Sequence, residues 1–339
     1  MSTIRTDPVT GRRVIIASER ADRPRSFRDD DSGLPYTEHC PFCVGNEDAT
    51  PEDIRTYPDG DGGWSVRVVP NKYPAVHTNE ELNDRSDELY ESYSGVGAHE
   101  VIIESPDHVV DLVDLSDAQV ATVLKAWRER VADLERDERL EHVLPFKNHG
   151  APAGASIEHT HSQLIALPMV PERIQDELDG AQAHHEETGG CVYCDIIDKN
   201  LQQRDRLVYA DDDVVVLAPF APRFPFELTI LPREHQSRFE HADAGLDRSM
   251  AAALNDTLGR LNRALDSPPY NLAVHTAPLR QGELPYFHWH IELIPTLSHI
   301  AGFEWGSGYH INPTSPESAA RHLRDIAAET PTVTSADVG

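Results

Sequence analysis

The chain has 339 residues, which is enough for two domains or for one large domain. Its 58 acidic residues outnumber 30 basic ones and give a formal net charge of −28, with nearly all of the positive charge on arginine. This composition argues against binding to nucleic acids or anionic membranes, because neutralising phosphate needs basic patches, and it is typical of a halophilic protein kept soluble in concentrated salt.

No stretch of the sequence approaches the roughly 20 consecutive apolar residues that span a bilayer. The N-terminal residues MSTIRTDPVTGRR lack the apolar run of a signal peptide, so a cytoplasmic location is expected. The four cysteines occur as two C-x-x-C pairs. In a chain without an export signal, such pairs more often bind metal or carry out redox chemistry than form disulfides.

The first half of the chain begins with the pair Cys40 and Cys43 in CPFC. A β-rich segment, GAHEVIIESPDH, follows and ends at His108. Next comes a helix that Ser116 is placed to cap, with apolar residues in steps of three and four. These residues are Val120, Leu124, Trp127, Val131 and Leu134. The strand IEHTHSQLIALP completes this half.

A polar segment over residues 171–190 separates this half from a second one built on the same plan. The second half contains CVYC, the strand FELTILPREH, a helix and the strand FHWHIELIP. Its helical stripe consists of Met250, Leu254, Leu258, Leu261 and Leu265. The order Cys, Cys, His and His-x-His therefore occurs twice, with 51 residues from His108 to His159 and 53 from His235 to His288.

This repetition predicts an α+β fold of two tandem pseudo-repeats, each an antiparallel sheet with packed helices. Strands outnumber helices and follow one another in hairpin-like succession, which disfavours a doubly wound parallel sheet. We expect the first half to cover residues 1–175 and the second half to cover residues 185–329. The polar residues 330–339 are expected to form a flexible tail.

Each half contains two thiols and two imidazoles, the ligand set of a closed tetrahedral zinc site. The two sets are Cys40, Cys43, His108 and His159, and Cys191, Cys194, His235 and His288. Four protein ligands leave no position for substrate, so both ions are expected to be structural, and the thiolates favour zinc over iron at the second site. The alternative is that the cysteines are core thiols. A thioredoxin-like redox role is disfavoured because neither pair is expected to open a helix after a strand.

The segment FKNHGAPAGASIEHTHSQ, residues 146–163, raises the question of a reacting histidine. His159 and His161 share one face of a strand, so a metal that holds His159 also fixes the backbone that presents His161. A neutral imidazole can attack phosphorus without a separate base, and a sugar phosphate leaves as an ionised group. The alternative is that both histidines are polar residues of an exposed strand.

The glycine loop in this segment supplies the other groups that a phosphate site needs. Gly150 and Gly154 let backbone N–H groups approach phosphate oxygens, and Ser156 and Gln163 can donate further hydrogen bonds. No Lys-Ser or Lys-Thr pair follows the glycines, so the loop differs from a P-loop and is weak evidence by itself.

The same segment resembles the active-site segment of the galactose-1-phosphate uridylyltransferase family, a branch of the histidine-triad superfamily. The family pattern is Phe-x-Asn-x-Gly, then Gly-x-Ser, then His-x-His-x-Gln. It is matched in register by Asn148, Gly150, Gly154, Ser156, His159, His161 and Gln163. The resemblance implies a histidine-triad-like fold, with His161 as the nucleophile that becomes uridylylated and Gln163 as a ligand of the phosphoryl group. Glutamine at this place, where histidine-triad hydrolases have a third histidine, favours transfer over hydrolysis.

The resemblance extends from Asp7 to about Arg324. DPVTGRRVIIASERADRP is similar to the family's N-terminal segment and implies that Arg20 and Arg23 face substrate phosphates. CPFCVGNE is similar to the segment with the family's zinc-binding cysteines. VVPNKYPAV is similar to its nucleotide-binding strand and implies that Asn71 binds substrate.

The chain departs from typical bacterial members at Thr160, where they have proline, and at residues 302–325, which replace the usual sugar-contacting segment. Its second C-x-x-C pair makes it similar to ADP-glucose phosphorylases and related archaeal-type transferases. His290 is open to three interpretations: a ligand of the second metal, a relic of a second nucleophile, or a polar strand residue.

Together these features predict a hexose-1-phosphate uridylyltransferase that works by a ping-pong route. UDP-glucose would uridylylate His161, and galactose 1-phosphate would then accept the uridylyl group. An ADP-sugar phosphorylase that uses the same histidine is the alternative, and a zinc-dependent nucleic-acid-binding module is a third possibility that the net charge opposes. The resemblance also implies a homodimer in which Phe303–Asn312 reaches the partner's active site.

Overall fold

The computed structural model of the chain describes residues 3–6, 13–16, 40–298 and 300–326. Arg20, Arg23 and the expected tail over residues 330–339 lie outside these residues, so their proposed properties stay predictions. Within the described part of the chain, no helix combines the length and apolarity needed to cross a bilayer.

The described strands form a small sheet and a large one. In chain order they are β1 (Thr3–Thr6), β2 (Arg13–Ile16), β3 (Arg55–Pro58), β4 (Trp64–Pro70), β5 (Ser92–Ser94), β6 (Ala98–Ile103), β7 (His142–His149), β8 (His161–Leu167), β9 (Leu207–Ala210), β10 (Val214–Leu217), β11 (Leu228–Pro232), β12 (Tyr270–His275) and β13 (His290–Pro295). The small sheet has the order β2-β1-β5. The large sheet has ten strands in the order β3-β4-β6-β8-β7-β12-β13-β11-β10-β9.

The large sheet is antiparallel throughout and contains both halves of the chain. Each half contributes five strands, in the same order from the edge to the centre. The halves join where β7 pairs with β12, with Phe146 opposite Ala273. The predicted α+β fold of two tandem antiparallel pseudo-repeats is therefore confirmed, and the two repeats share one continuous sheet.

The helices follow the predicted apolar stripes. In chain order they are α1 (Asp117–Leu134), α2 (Glu172–Thr188), α3 (Val192–Gln203), α4 (Ala244–Leu265), α5 (Gly302–Ser307) and α6 (Pro316–Asp325). Ser116 caps α1 as predicted, because its Oγ accepts the N–H of Gln119 at 3.2 Å. The predicted stripe of α1 is buried along its whole length, whereas that of α4 is buried except for Leu265, which is partly exposed. Both helices cover the same face of the sheet.

The alternation of side chains along each strand decides which residues reach the opposite face. In β6, Ile102 points into the main core beneath α1 and α4. Its neighbours Val101 and Ile103 pack instead against Cys40 and Cys43. This second face of the sheet carries the cysteine loop and the histidines that follow it.

The polar segment between the halves folds as α2 rather than as an extended linker. Its Ile174 and Leu178 pack with Phe287 on the second face of the sheet, which we call the site face. Gly189, with φ of 77°, ends the helix in the left-handed conformation that glycine adopts without strain. α3 begins three residues later, so a pair of helices connects the two halves.

Candidate active site and metal centres

The first predicted metal set comes together in the structure. The ligand atoms of Cys40, Cys43, His108 and His159 all lie within 4.8 Å of one another. Cys43 Sγ is 3.4 Å from His108 Nδ1, and Cys40 Sγ is 3.5 Å from His159 Nδ1. A zinc ion with tetrahedral angles and bonds of about 2.3 Å to sulfur and 2.0 Å to nitrogen separates these atoms by roughly 3.5 Å. The donor types and their spacing therefore fit zinc.

Backbone contacts and burial prepare this set for a cation. The Nε2–H of His159 donates to the Ser105 carbonyl at 2.9 Å, so Nδ1 is the nitrogen that faces the thiols. Burial lowers the pKa of His159 to about 3, which keeps the imidazole in its neutral, metal-binding form. Burial, followed by the neighbouring Cys40, raises the pKa of Cys43 to about 12. A bound divalent ion would stabilise the thiolates that burial alone disfavours.

The second predicted set has the same arrangement. The ligand atoms of Cys191, Cys194, His235 and His288 also lie within 4.8 Å of one another. Cys194 Sγ is 3.5 Å from His235 Nδ1 and 3.7 Å from His288 Nδ1. Backbone carbonyls accept the Nε2–H of both histidines, at 3.1 and 3.0 Å. Each half therefore holds a cysteine and histidine cluster that fits a metal ion.

The second cysteine pair differs from expectation in its local structure. Cys191 is the residue before α3 and Cys194 lies in the first turn, so this pair does open a helix. The helix follows α2 rather than a strand, which is not the βαβ context of a thioredoxin-like motif. Burial, followed by Cys191, raises the pKa of Cys194 to about 12, the opposite of what a reactive thiol needs.

His161 lies at the wall of a cavity on the site face of the sheet. It is the first residue of β8 and is 5% exposed. Its Nδ1–H donates to the His159 carbonyl at 2.7 Å, so Nε2 is the nitrogen that carries the lone pair in the neutral ring. The ring of Phe42 packs against it, with centroids 5.2 Å apart. Because Phe42 lies between Cys40 and Cys43, the cysteine loop supports the candidate nucleophile.

Asn71, Ser156 and Gln163 line the same cavity. The binding of substrate by Asn71 and Ser156 and the catalytic role of Gln163 stay predictions. The orientation of Gln163 is set by His99, which sequence analysis did not identify. His99 Nδ1 accepts the N–H of Ala75 at 3.0 Å, so its Nε2–H donates to Gln163 Oε1 at 2.9 Å. Asn71 Nδ2 donates to the same oxygen at 3.4 Å. Gln163 can therefore present its amide N–H groups to a ligand. The available signal was a histidine inside the buried, β-rich segment AHEVII.

The glycine loop lies next to the cavity rather than among its lining residues. Gly150 and Gly154 have φ of 78° and 93°, so the loop depends on conformations that glycine adopts most readily. The backbone N–H groups of residues 153, 154 and 155 donate to carbonyls within the loop. Asn148 Oδ1 accepts from Asn271 Nδ2 at 2.8 Å, which ties the loop to the second half. Phosphate binding by the loop amides stays a prediction.

His290 occupies the place in β13 that His161 occupies in β8, and it lies apart from the second cysteine set. It belongs to a cluster formed by Glu177, His275, His290 and Glu292. Its Nδ1–H donates to the His288 carbonyl at 3.1 Å, which repeats the geometry of the first half. Arg173 and Arg223 contact the Glu292 carboxylate at 2.5 and 3.0 Å, so this cluster contains arginine counter-ions.

Comparison with known proteins identifies the family. Residues 1–171 match the family model described as galactose-1-phosphate uridyl transferase, N-terminal domain. The chain is 37% identical over 330 residues to ADP-glucose phosphorylase of Arabidopsis thaliana, covering 96% of this chain and 93% of that protein. The chain belongs to the galactose-1-phosphate uridylyltransferase family. This membership confirms the predicted enzyme class, a nucleotidyltransferase.

Two further comparisons cover nearly the whole chain. Galactose-1-phosphate uridylyltransferase of Thermotoga maritima is 27% identical over 338 residues, which cover 97% of this chain and all of that protein. The crystal structure of the Arabidopsis thaliana ADP-glucose phosphorylase with bound ADP-glucose superposes with a TM-score of 0.79 at 36% identity, covering 97% of this chain and 100% of that one. This superposition confirms that the chain has the fold expected for its family.

Proposed function

We propose that this chain is a hexose-1-phosphate uridylyltransferase that converts UDP-glucose and galactose 1-phosphate into glucose 1-phosphate and UDP-galactose through a uridylyl-histidine at His161. The observation that carries the proposal is the fixed ring of His161 at the cavity wall. Its Nδ1–H is held by the His159 carbonyl, so the nucleophilic Nε2 needs no separate base.

The exchange consists of two displacements at phosphorus. In the first, the Nε2 lone pair of His161 attacks the α-phosphorus of UDP-glucose, and the bond from that phosphorus to the bridging oxygen breaks. Glucose 1-phosphate leaves with the bonding electrons as an ionised phosphate, so no proton has to be supplied. In the second, a phosphate oxygen of galactose 1-phosphate attacks the same phosphorus, and the bond to Nε2 breaks. Gln163 and Ser156 would donate hydrogen bonds to the phosphoryl oxygens.

Labelling of the protein tests the proposal. Incubation with UDP-glucose that carries radioactive phosphorus at the α position is expected to give an acid-labile label, which galactose 1-phosphate then removes. His161→Asn should abolish the label. The matched variant His290→Asn, in the equivalent place of the second half, should keep it. A His161→Asn protein that still exchanges at the wild-type rate would contradict the proposed nucleophile.

A second candidate function, an ADP-sugar phosphorylase, uses the same histidine with inorganic phosphate as acceptor. The observation in its favour is the higher identity to the Arabidopsis thaliana ADP-glucose phosphorylase, 37% against 27% for the Thermotoga maritima uridylyltransferase. Parallel labelling with UDP-glucose and ADP-glucose, each chased with galactose 1-phosphate or phosphate, separates the two functions. The nucleotide sugar that labels His161 faster shows whether the enzyme prefers a uracil or an adenine nucleotide.

We further propose that the chain holds two structural zinc ions and works as a homodimer. The Cys/His donor sets support zinc at both sites. Support for the dimer comes from the segment Phe303–Asn312, where Trp305 is 75% exposed, Tyr309 74% and Ile311 68%. Large exposed apolar side chains of this kind mark interaction surfaces. Light scattering should give twice the chain mass, and Trp305→Ser should shift the protein toward the monomer.

A cytoplasmic location and a requirement for salt complete the proposal. The net charge of −28 supports the second part, because self-repulsion at low ionic strength opposes the compact state. The free energy of unfolding is expected to rise as potassium chloride increases from 0.1 M to 2 M. A protein that is equally stable and active at both concentrations would contradict the requirement.

A further inference from the structure

A buried charged cluster lies behind the backbone of His161. Lys147 is 1% exposed and Glu104 is fully buried, and the Lys147 ammonium lies 2.6 Å from Glu104 Oε2. The same ammonium donates to Thr160 Oγ1 at 2.9 Å and to the His161 carbonyl oxygen at 3.0 Å. The Thr160 hydroxyl in turn donates to Glu104 Oε2 at 2.5 Å. All three N–H groups of the Lys147 ammonium therefore donate a hydrogen bond.

The His161 carbonyl lies where the sheet begins to open. The antiparallel ladder between β7 and β8 ends at the pair Phe146 and Gln163, so it does not include His161. In the second half the corresponding ladder continues further and pairs His275 with His290. The opening between β7 and β8 is therefore specific to the half that carries the candidate nucleophile, whereas β6 still pairs with β8 there, with Ile103 opposite His161. The Lys147 ammonium donates to the His161 carbonyl at this opening.

The second half also shows that the fold does not require charge at these positions. The strand registers make Val274 the counterpart of Lys147 and Trp289 the counterpart of Thr160. Both counterparts are buried in the main apolar core. Replacing a buried ion pair by apolar side chains is often neutral or stabilising, so stability alone does not explain a buried lysine and glutamate. The cluster occurs in the half that has the predicted catalytic residues.

We infer that Lys147, held by Glu104 and Thr160, is a positioning residue for His161. By binding the carbonyl of His161 it holds the backbone at the start of β8, where β7 no longer supports it. The ring then keeps its hydrogen bond to the His159 carbonyl and its Nε2 toward the cavity. The kinetic consequence rests on the proposed function, whereas the geometry can be measured without any activity.

The test uses variants that avoid leaving a buried charge unpaired. The double variant K147M/E104Q removes both charges together and keeps the side-chain lengths similar. Its matched control is R128M/D247N, which removes the ion pair between α1 and α4, 3.0 Å long, without touching His161. We expect K147M/E104Q to lower the kcat for nucleotidyl transfer on the order of 10- to 100-fold with little change in KM, and the control to keep both constants.

Thr160 provides a finer comparison, because one substitution keeps its hydroxyl and another removes it. Thr160→Ser should retain the wild-type kcat, whereas the nearly isosteric Thr160→Val removes the bonds to Lys147 and Glu104 and should lower it. A purely structural role would lower the melting temperature of K147M/E104Q and R128M/D247N alike and leave the kcat of the folded protein unchanged. Wild-type kcat in folded K147M/E104Q would overturn the inference.

Crystal structures of the wild type and K147M/E104Q provide the readout that is independent of activity. The wild type should show one His161 rotamer with Nδ1 on the His159 carbonyl, and the variant should show a displaced backbone or a second rotamer. A variant that keeps the wild-type position of His161 would overturn the inference, whatever its activity. If the wild type forms no nucleotidyl-histidine, the proposed function fails, and the two crystal structures alone decide the positioning role.

Discussion

His161 donates its Nδ1–H to the backbone carbonyl of His159 at 2.7 Å, while His159 turns its own Nδ1 toward the thiols of Cys40 and Cys43. The backbone of one histidine therefore orients the ring of the other. A metal ion bound at the first site would hold the candidate nucleophile through only two residues of backbone.

This link predicts unequal effects of losing the two metal sites. Cys43→Ser and Cys194→Ser should each lower the zinc content by about one ion per chain. Each substitution removes a sulfur ligand that lies close to the Nδ1 atoms of both histidines of its set. Only Cys43→Ser should also reduce labelling of His161 by at least about 10-fold. Metal analysis and labelling of both variants check this expectation, which equal loss of label in both would refute.

The contact between His99 and Gln163 predicts that His99 acts through the glutamine. His99→Leu leaves Gln163 Oε1 with the longer contact to Asn71, so the amide should turn and kcat should fall about 10-fold. In a double-mutant cycle, His99→Leu should add little to the effect of Gln163→Ala. Additive losses in the two single variants and the double variant would show that His99 acts independently of Gln163.

A side chain at Gly150 is predicted to destabilise the protein. This glycine has φ of 78° and ψ of 152°, a region that is nearly exclusive to glycine, and an added Cβ would lie 3.1 Å from Pro269 Cβ. Gly150→Ala should cost about 1–3 kcal/mol of unfolding free energy and weaken labelling. Gly62 is the matched control. It also has a positive φ, of 97°, but an added Cβ there would meet no atom within 4 Å, so Gly62→Ala measures backbone strain alone. Denaturant unfolding of both alanine variants measures the difference.

His142 predicts a loss of stability in acid. Burial, followed by the nearby His275, lowers its pKa from 6.5 to about 3. Below pH 6.5 the unfolded chain therefore binds a proton that the folded protein does not, so the unfolding free energy falls as pH falls toward 3. Between pH 7 and pH 5 this histidine should lower the unfolding free energy by about 2 kcal/mol.

The variant His142→Leu should remove that part of the pH dependence. Its unfolding free energy should fall less between pH 7 and pH 5 than that of the wild type, by about 2 kcal/mol. His322→Asn, at an exposed histidine in α6, is the control and should follow the wild-type curve. Identical curves for all three proteins would show that His142 is protonated at pH 5 in the folded state.

The parts of the site that were predictable from the sequence depend on local patterns. A C-x-x-C pair, a His-x-His that leads into a strand and apolar residues in steps of three and four each restrict a few neighbouring residues. Their repetition revealed two halves. The ligands Cys40, Cys43, His108 and His159 could be grouped because the same order recurs in the second half. The cap at Ser116 and the buried face of α1 followed from the same kind of local rule.

Other features depend on contacts between residues far apart in the chain, which no local pattern encodes. Strand pairing brought His99 under Gln163, placed Glu104 against Lys147, and joined the two halves through β7 and β12. The sequence by itself determined which residue types could bind metal and react with phosphorus. Only the tertiary structure decided how they are oriented, because orientation depends on the partner that packing places beside each ring, amide and ammonium group.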